Sequence, residues 1–98
     1  TSLAAVQAGI EGLARGLAID LAPIRVNVIS PGLTDTPIIH EFFADEAARK
    51  ALYDEQARVL PARRIGTSDD IAESILYLLT NRYTTGSTLF PDGGYNLR

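Results

Sequence analysis

The sequence predicts an α/β protein, half of a doubly wound layer whose strands run parallel. Three observations carry that expectation. Long segments with apolar residues every three or four positions alternate with short β-branched runs. Both candidate strands carry apolar groups on both faces, as strands covered by helices on each side do. Each strand is ended at once by proline and glycine. The order is helix, strand, irregular helical insert, helix, strand.

In the first segment, Thr1–Leu21, apolar residues fall at Leu3, Val6, Ile10, Leu13, Leu17 and Leu21, the period of one helical face. Glu11 and Arg15 stand four apart with the acid first, which predicts a small surface pair. The other side holds Ala5, Ala8, Gly9, Gly12 and Gly16, small enough for a second backbone to come close. Pro23 stops the helix. Ile24–Ser30 then reads as a strand, with Ile24, Val26 and Val28 on one face and Asn27 and Ile29 on the other; Pro31-Gly32 breaks it.

Thr34, Asp35, Thr36 and Pro37 are expected to form a polar loop. From about Asp45 to Leu60 the alternation of charged and apolar residues predicts one or two short helices, anchored by Leu52, Tyr53 and Leu60 and closed by Pro61. Thr67-Ser68-Asp69-Asp70 approximates a capping box, with Asp70 in the usual place of Glu. The helix behind it is expected to bury Ile71, Ile75, Leu78 and Leu79. Thr85-Gly86 makes a turn, Ser87–Phe90 a second strand, and Pro91-Asp92-Gly93-Gly94 ends it. Two strands alone make no stable sheet, so the layer is expected to be incomplete on its own.

Composition narrows the function. At 98 residues the chain supports one core, and 46% hydrophobic with 21% charged residues is neither disordered nor collagenous. A net charge of −3 argues against a nucleic-acid binder, which carries a basic stripe. The absence of cysteine removes disulfides and thiolate chemistry, and a single histidine, His40, builds no multi-histidine metal site. No apolar run approaches the ~20 residues of a membrane span. The first segment does not read as a signal peptide, and the cytoplasm is the expected compartment.

The run Ile24-Arg25-Val26-Asn27-Val28-Ile29-Ser30-Pro31-Gly32 followed by Thr36 resembles the late part of the short-chain dehydrogenase/reductase family. So do Arg64-Ile65-Gly66-Thr67-Ser68-Asp69-Asp70-Ile71-Ala72, then Thr85-Gly86, then Asp92-Gly93-Gly94, in the family's order. The resemblance implies that residues 1–98 are the C-terminal portion of a single Rossmann-like domain, with 37–61 as its substrate-loop insert. It also implies an NAD- or NADP-dependent oxidoreductase. Pro31 and Gly32 would let the backbone pass close to the nicotinamide ring. The main chain of Leu33 would bond its carboxamide, and Thr36 the carboxamide or a phosphate oxygen. Ligands of open α/β sheets do lie beyond the carboxyl ends of strands, where Pro31–Thr36 falls. On residue chemistry alone, Pro31-Gly32 also reads as an ordinary strand-ending turn.

The sequence departs from the family at one place. Members carry a catalytic Tyr and, four residues on, a Lys, so that an ammonium lowers the phenol's pKa and the phenol exchanges a proton with substrate. The matching positions here are Leu3 and Gln7. Leucine transfers no proton, and glutamine bonds a ribose hydroxyl without supplying charge. None of Tyr53, Tyr77, Tyr83 and Tyr95 has a Lys four residues later. The glycine-rich turn that cradles the pyrophosphate is not in this sequence, so weak dinucleotide binding is expected of the chain alone.

Three functions compete: an oxidoreductase, a non-catalytic homologue acting as scaffold or cofactor sensor, and a chain that completes the sheet of a separate partner. Expected partners are the N-terminal part of the same fold, or a complementary chain, and a second copy in a homodimer or homotetramer, for which Gly9, Gly12 and Gly16 fit. His40, Phe42 and Phe43 lie in the insert; solvation is expected for the histidine and an anchoring role for the phenylalanines. Asp45-Glu46 and Asp69-Asp70 are expected to cap helices, and Arg63-Arg64 to be a solvated charge pair.

Overall fold

A computed structural model describes residues Thr1–Leu97. They form two compact units, one of Thr1–Ser30 with Ser74–Leu89, the other of Pro31–Glu73 with the chain from Phe90 onward. Secondary structure is α/β with parallel strands throughout, as the sequence predicts.

In the first unit, helix α1 spans Ser2–Asp20, and the Thr1 hydroxyl accepts the Ala4 N–H at 3.4 Å. The chain leaves it through Leu21 and a cis Ala22–Pro23 bond. Strand β1 (Val28–Ile29) pairs in parallel with the last strand, β4 (Thr88–Leu89), in the register Val28 to Thr88 and Ile29 to Leu89. The ladder is shorter than the run Ile24–Ser30: upstream of Val28 one backbone bond remains, from Gly86 N–H to the Val26 carbonyl at 2.7 Å, and side chains make the other ties. Val26 N–H donates to the Thr85 hydroxyl at 3.1 Å. Asn27 donates to the Thr84 carbonyl at 3.0 Å and accepts from Ser87 N–H at 3.1 Å. Gly86 makes this turn possible: its φ of +73° is one that residues with a Cβ rarely adopt.

Arg25 is the other tie. Helix α4 (Ser68–Thr80) has its later part, Ser74–Thr80, in this unit. The Arg25 guanidinium donates to the carbonyls of Leu78 at 2.5 Å and Leu79 at 2.9 Å, filling acceptors that the end of a helix leaves open and placing positive charge at its negative pole.

In the second unit, strand β2 (Thr34–Asp35) pairs in parallel with β3 (Gly66–Thr67). This second small sheet corrects the expectation of a polar loop at 34–37: each strand is two residues long, too short to show an alternation. The insert holds two helices, α2 (Pro37–Phe42) and α3 (Glu46–Val59), and Leu60 behind α3 is buried. Asp45 caps α3 by accepting the Ala47 N–H at 3.3 Å. The capping box at α4 forms: the Thr67 hydroxyl accepts the Asp70 N–H at 3.2 Å, while Thr67 N–H donates to the Asp70 carboxylate at 2.8 Å. At the other end of the unit Gly93 and Gly94, both with positive φ, lay the backbone against Leu60, Pro61 and Ala62.

Among the described residues, only Ala14, Leu60 and Leu78 are buried apolar residues. The expected burial of α4 is therefore corrected: Leu78 is buried, while Ile75 and Leu79 are exposed. In α1 the apolar stripe is open as well, Leu3 being 81% exposed, and so is the small face of Ala5, Ala8, Gly9, Gly12 and Gly16; the side that packs is a third one, with Ala14 buried and Gln7, Glu11 and Ala18 half-buried around it. Surfaces this greasy without cover are what an incomplete layer presents. Glu11 accepts from Gln7 at 3.3 Å, and no Glu11–Arg15 ion pair stands among the described residues. No helix of the described residues is long and apolar enough to cross a membrane.

Candidate functional site

The segment Pro31–Thr36 leads directly from the end of β1 into β2 and α2. Gly32 lies against the chain of Asp92: its N–H donates to the Pro91 carbonyl at 3.3 Å, and an added Cβ would stand 2.8 Å from the Asp92 Cα. Glycine here has a packing reason of its own. The Leu33 carbonyl accepts the Gly66 N–H at 3.0 Å, and the buried Thr34 hydroxyl donates to the Gly32 carbonyl at 2.9 Å. These bonds fix the backbone on both sides of Leu33.

Thr36 occupies the N-cap position of α2 with extended backbone (φ −133°, ψ 162°), yet its side chain makes no capping bond. Its carbonyl takes the Ile39 N–H at 3.1 Å and the His40 N–H at 3.3 Å, and Pro37 opens the helix where no N–H is needed. Half-buried Thr36 lines a pocket with Asp35, Pro37 and His40. Neutral donors on fixed backbone suit an amide such as a nicotinamide carboxamide, so the residues present fit that end of a dinucleotide.

Beside this loop lies a network that the sequence did not reveal. One oxygen of Asp35 on β2 is met by His40 Nε2 of α2 at 2.8 Å and by the Tyr53 hydroxyl of α3, also at 2.8 Å. The hydrogen bonds from His40 and then Tyr53 hold the Asp35 carboxyl below the usual carboxylate range. Loss of hydration, and then the bond to the Asp35 carboxylate, push the Tyr53 phenol up. His40 is therefore bonded rather than merely solvated, which corrects the expectation. The spacing of Asp35 to His40 across a helix start was a usable signal; Tyr53, on another helix, gave none.

Two further expectations are corrected. Phe42 is 77% exposed and Phe43 is exposed as well, so neither anchors the insert. Arg64 is no free charge: it grips both oxygens of Asp70, at 2.7 and 2.9 Å. Arg63, in a left-handed conformation (φ 59°), donates to the Arg58 carbonyl. Leu3 and Gln7 lie on α1, where Gln7 Nε2 donates to Glu11. Among the described residues no group of three or more metal-binding side chains gathers.

The profile of the family described as enoyl-(acyl carrier protein) reductase matches residues 1–96. The 3beta-hydroxysteroid dehydrogenase 1 of Eggerthella lenta is 42% identical over 98 aligned residues, covering 96% of this chain and 36% of that protein. The crystal structure of a small-chain dehydrogenase in complex with NADPH superposes with a TM-score of 0.82 at 41% identity, over 97% of this chain and 42% of that one. An NADPH-bound short chain oxidoreductase from Pseudomonas aeruginosa PAO1, described as containing an atypical catalytic center, superposes at 0.73 with 34% identity, over 93% of this chain and 37% of that one. The chain belongs to the short-chain dehydrogenase/reductase family. It spans about a third of the length of the curated relatives it matches.

Proposed function

We propose that this chain supplies the nicotinamide side of an NAD(P)-dependent oxidoreductase acting on a carbonyl or alcohol, in the cytoplasm. In that reading Pro31 and Gly32 keep the backbone low beside the ring, Leu33 offers its N–H to the carboxamide, and Thr36 offers its hydroxyl. The observation that carries the reading is the Thr36 side chain: it stands at a helix cap without capping, half-buried beside a pocket, on a backbone fixed by Gly66 and Pro91. The NADPH complexes among the similar structures support a nicotinamide cofactor, NAD or NADP. When bound, that cofactor supplies or accepts the hydride.

Residues 37–61, helices α2 and α3, form the substrate lid. Helix α1 pairs with its copy in a homodimer or homotetramer, and the neighbouring part of the same fold covers the exposed apolar faces. The space above Gly9 and Gly16 is open, with nothing within 4 Å of an added Cβ, which supports close approach of a second helix.

Leu3 and Gln7 favour a second reading, a homologue that keeps the cofactor and lacks turnover. The atypical centre named for the Pseudomonas aeruginosa relative supports the view that dinucleotide binding survives changes at the catalytic positions. Spectrophotometry of NADH and NADPH oxidation over a panel of ketones and aldehydes separates the two. Turnover establishes the enzyme; dinucleotide binding without turnover on any member of the panel rejects it in favour of the second reading.

A further inference from the structure

The pocket beside the cofactor segment is lined by Thr36 and Pro37 together with a bonded pair, Asp35 and His40. His40 follows Thr36 by one turn of helix, and its N–H donates to the Thr36 carbonyl at 3.3 Å. Residues four apart lie on one side of a helix, with Cβ atoms about 5–6 Å apart. An imidazole therefore stands within one side chain's reach of the hydroxyl read as the carboxamide's partner. The groups around it differ in what they can do with a proton. The bonds from His40 and then Tyr53 keep Asp35 below the usual carboxylate range, so Asp35 is an acceptor with no proton to give. Lost hydration, and then the bond to Asp35, push the Tyr53 phenol up, so its proton stays on that bond. An ionised carboxylate only accepts, so Nε2 of His40 carries the hydrogen in the 2.8 Å contact with Asp35. That fixes the tautomer and leaves Nδ1 as the nitrogen that takes or gives a proton. Nothing among the described residues bonds Nδ1, and the His40 side chain is 49% exposed.

We propose that His40 is the catalytic residue that exchanges a proton with the substrate's carbonyl or alcohol, the role that Leu3 cannot fill. The inference deepens the oxidoreductase reading under Proposed function and rests on it. In reduction, Nδ1–H of the imidazolium gives its proton to the carbonyl oxygen while the carbonyl carbon takes the hydride of the dinucleotide. The C=O π bond is replaced by one C–H and one O–H bond, the dinucleotide leaves oxidised, and the neutral imidazole takes a proton back from water. In oxidation the neutral Nδ1 accepts the hydroxyl proton as the hydride departs. Asp35 and Tyr53 are positioning residues that hold the ring. Of the other charges near it, Glu41 follows on α2, and Glu46, Arg49, Lys50 and Asp54 of α3 line the neighbouring hollow. Lys50 is paired with Asp54 at 2.7 Å and Arg49 donates to the Phe43 carbonyl at 2.9 Å, so Asp35 is the charged group bonded to the ring.

The test uses the purified protein with NADPH or NADH and the ketone that it reduces with the highest kcat/KM. His40→Gln, at a half-exposed position, is expected to keep its Tm and its dinucleotide affinity while kcat falls about 100-fold or more. The rate of the unaltered protein is expected to decline as pH rises through one ionisation, and the residual activity of His40→Gln to lack that decline. Tyr53→Phe leaves the His40–Asp35 bond in place and should lower kcat less than about tenfold. A readout apart from turnover is NMR of the His40 imidazole, its signal assigned by its loss in His40→Gln. That signal is expected to move when the ketone is added to protein holding the oxidised dinucleotide, a complex that cannot react. An unchanged kcat in His40→Gln, the same pH decline in the variant, or an imidazole signal indifferent to the ketone overturns the proposal alone. So does a loss of dinucleotide affinity in step with kcat, because His40 is then part of the dinucleotide's binding site and no proton carrier. Absence of dinucleotide binding or of turnover in the unaltered protein overturns the underlying reading, and the proposal with it.

Discussion

Arg64 holds Asp70 by both carboxylate oxygens, at 2.7 and 2.9 Å, across the start of helix α4. The same carboxylate accepts the Thr67 N–H at 2.8 Å, so one side chain closes the capping box and the ion pair together. The guanidinium, and then the Thr67 bonds, draw the Asp70 carboxyl well below the usual carboxylate range.

A depressed carboxylate pKa stabilises the folded chain fully above the ordinary Asp value of 3.8, and the benefit fades as pH falls toward the folded value. Asp70→Asn is therefore expected to lower Tm at neutral pH. The gap between variant and unaltered protein should stay constant down to about pH 5 and narrow below it. Thermal melts across that range check the sign.

Thr67→Ala removes the hydroxyl that accepts the Asp70 N–H. A lost N-cap costs about 1 kcal/mol, and denaturant unfolding of this variant should show a loss of that order. Thr67→Ser keeps the acceptor and should lose much less.

Gly32→Ala meets backbone rather than a movable side chain, with Asp92 Cα 2.8 Å from the new Cβ. Overpacking of that kind costs about 1–3 kcal/mol. A lower Tm is expected, accompanied by weaker dinucleotide binding, since Leu33 and Thr36 follow on the same stretch. Titration calorimetry with NADPH measures the second effect.

Leu3→Tyr with Gln7→Lys places a phenol and an ammonium four residues apart on one face of α1. General acid–base catalysis contributes about 10²–10⁴-fold in favourable sites. The double variant is expected to raise the rate of NADPH oxidation with a ketone at least tenfold. Neither single change should do so.

How far the sequence could be read depended on where each signal was local. Thr67-Ser68-Asp69-Asp70 announced its helix because a capping box is contained in four residues, and Pro23 marked the end of α1 for the same reason. Strands β2 and β3 escaped because two-residue pairings leave no periodicity; they exist through the register of Thr34 on Gly66. Burial in α4 was overread, since apolar spacing says which face seeks cover and not whether cover is present. For the site, Pro31–Thr36 was legible from a motif, while the convergence of His40 and Tyr53 on Asp35 depends on three elements meeting in space.

The most direct measurement is the affinity of the purified protein for NADPH, by fluorescence titration, beside that of Thr36→Val. If this hydroxyl holds the nicotinamide end, the unaltered protein binds the dinucleotide and the valine variant, with one hydrogen bond lost, binds about 3–10-fold more weakly with its Tm unchanged. Equal affinities in the two proteins, or no binding by the unaltered one, would contradict the assignment.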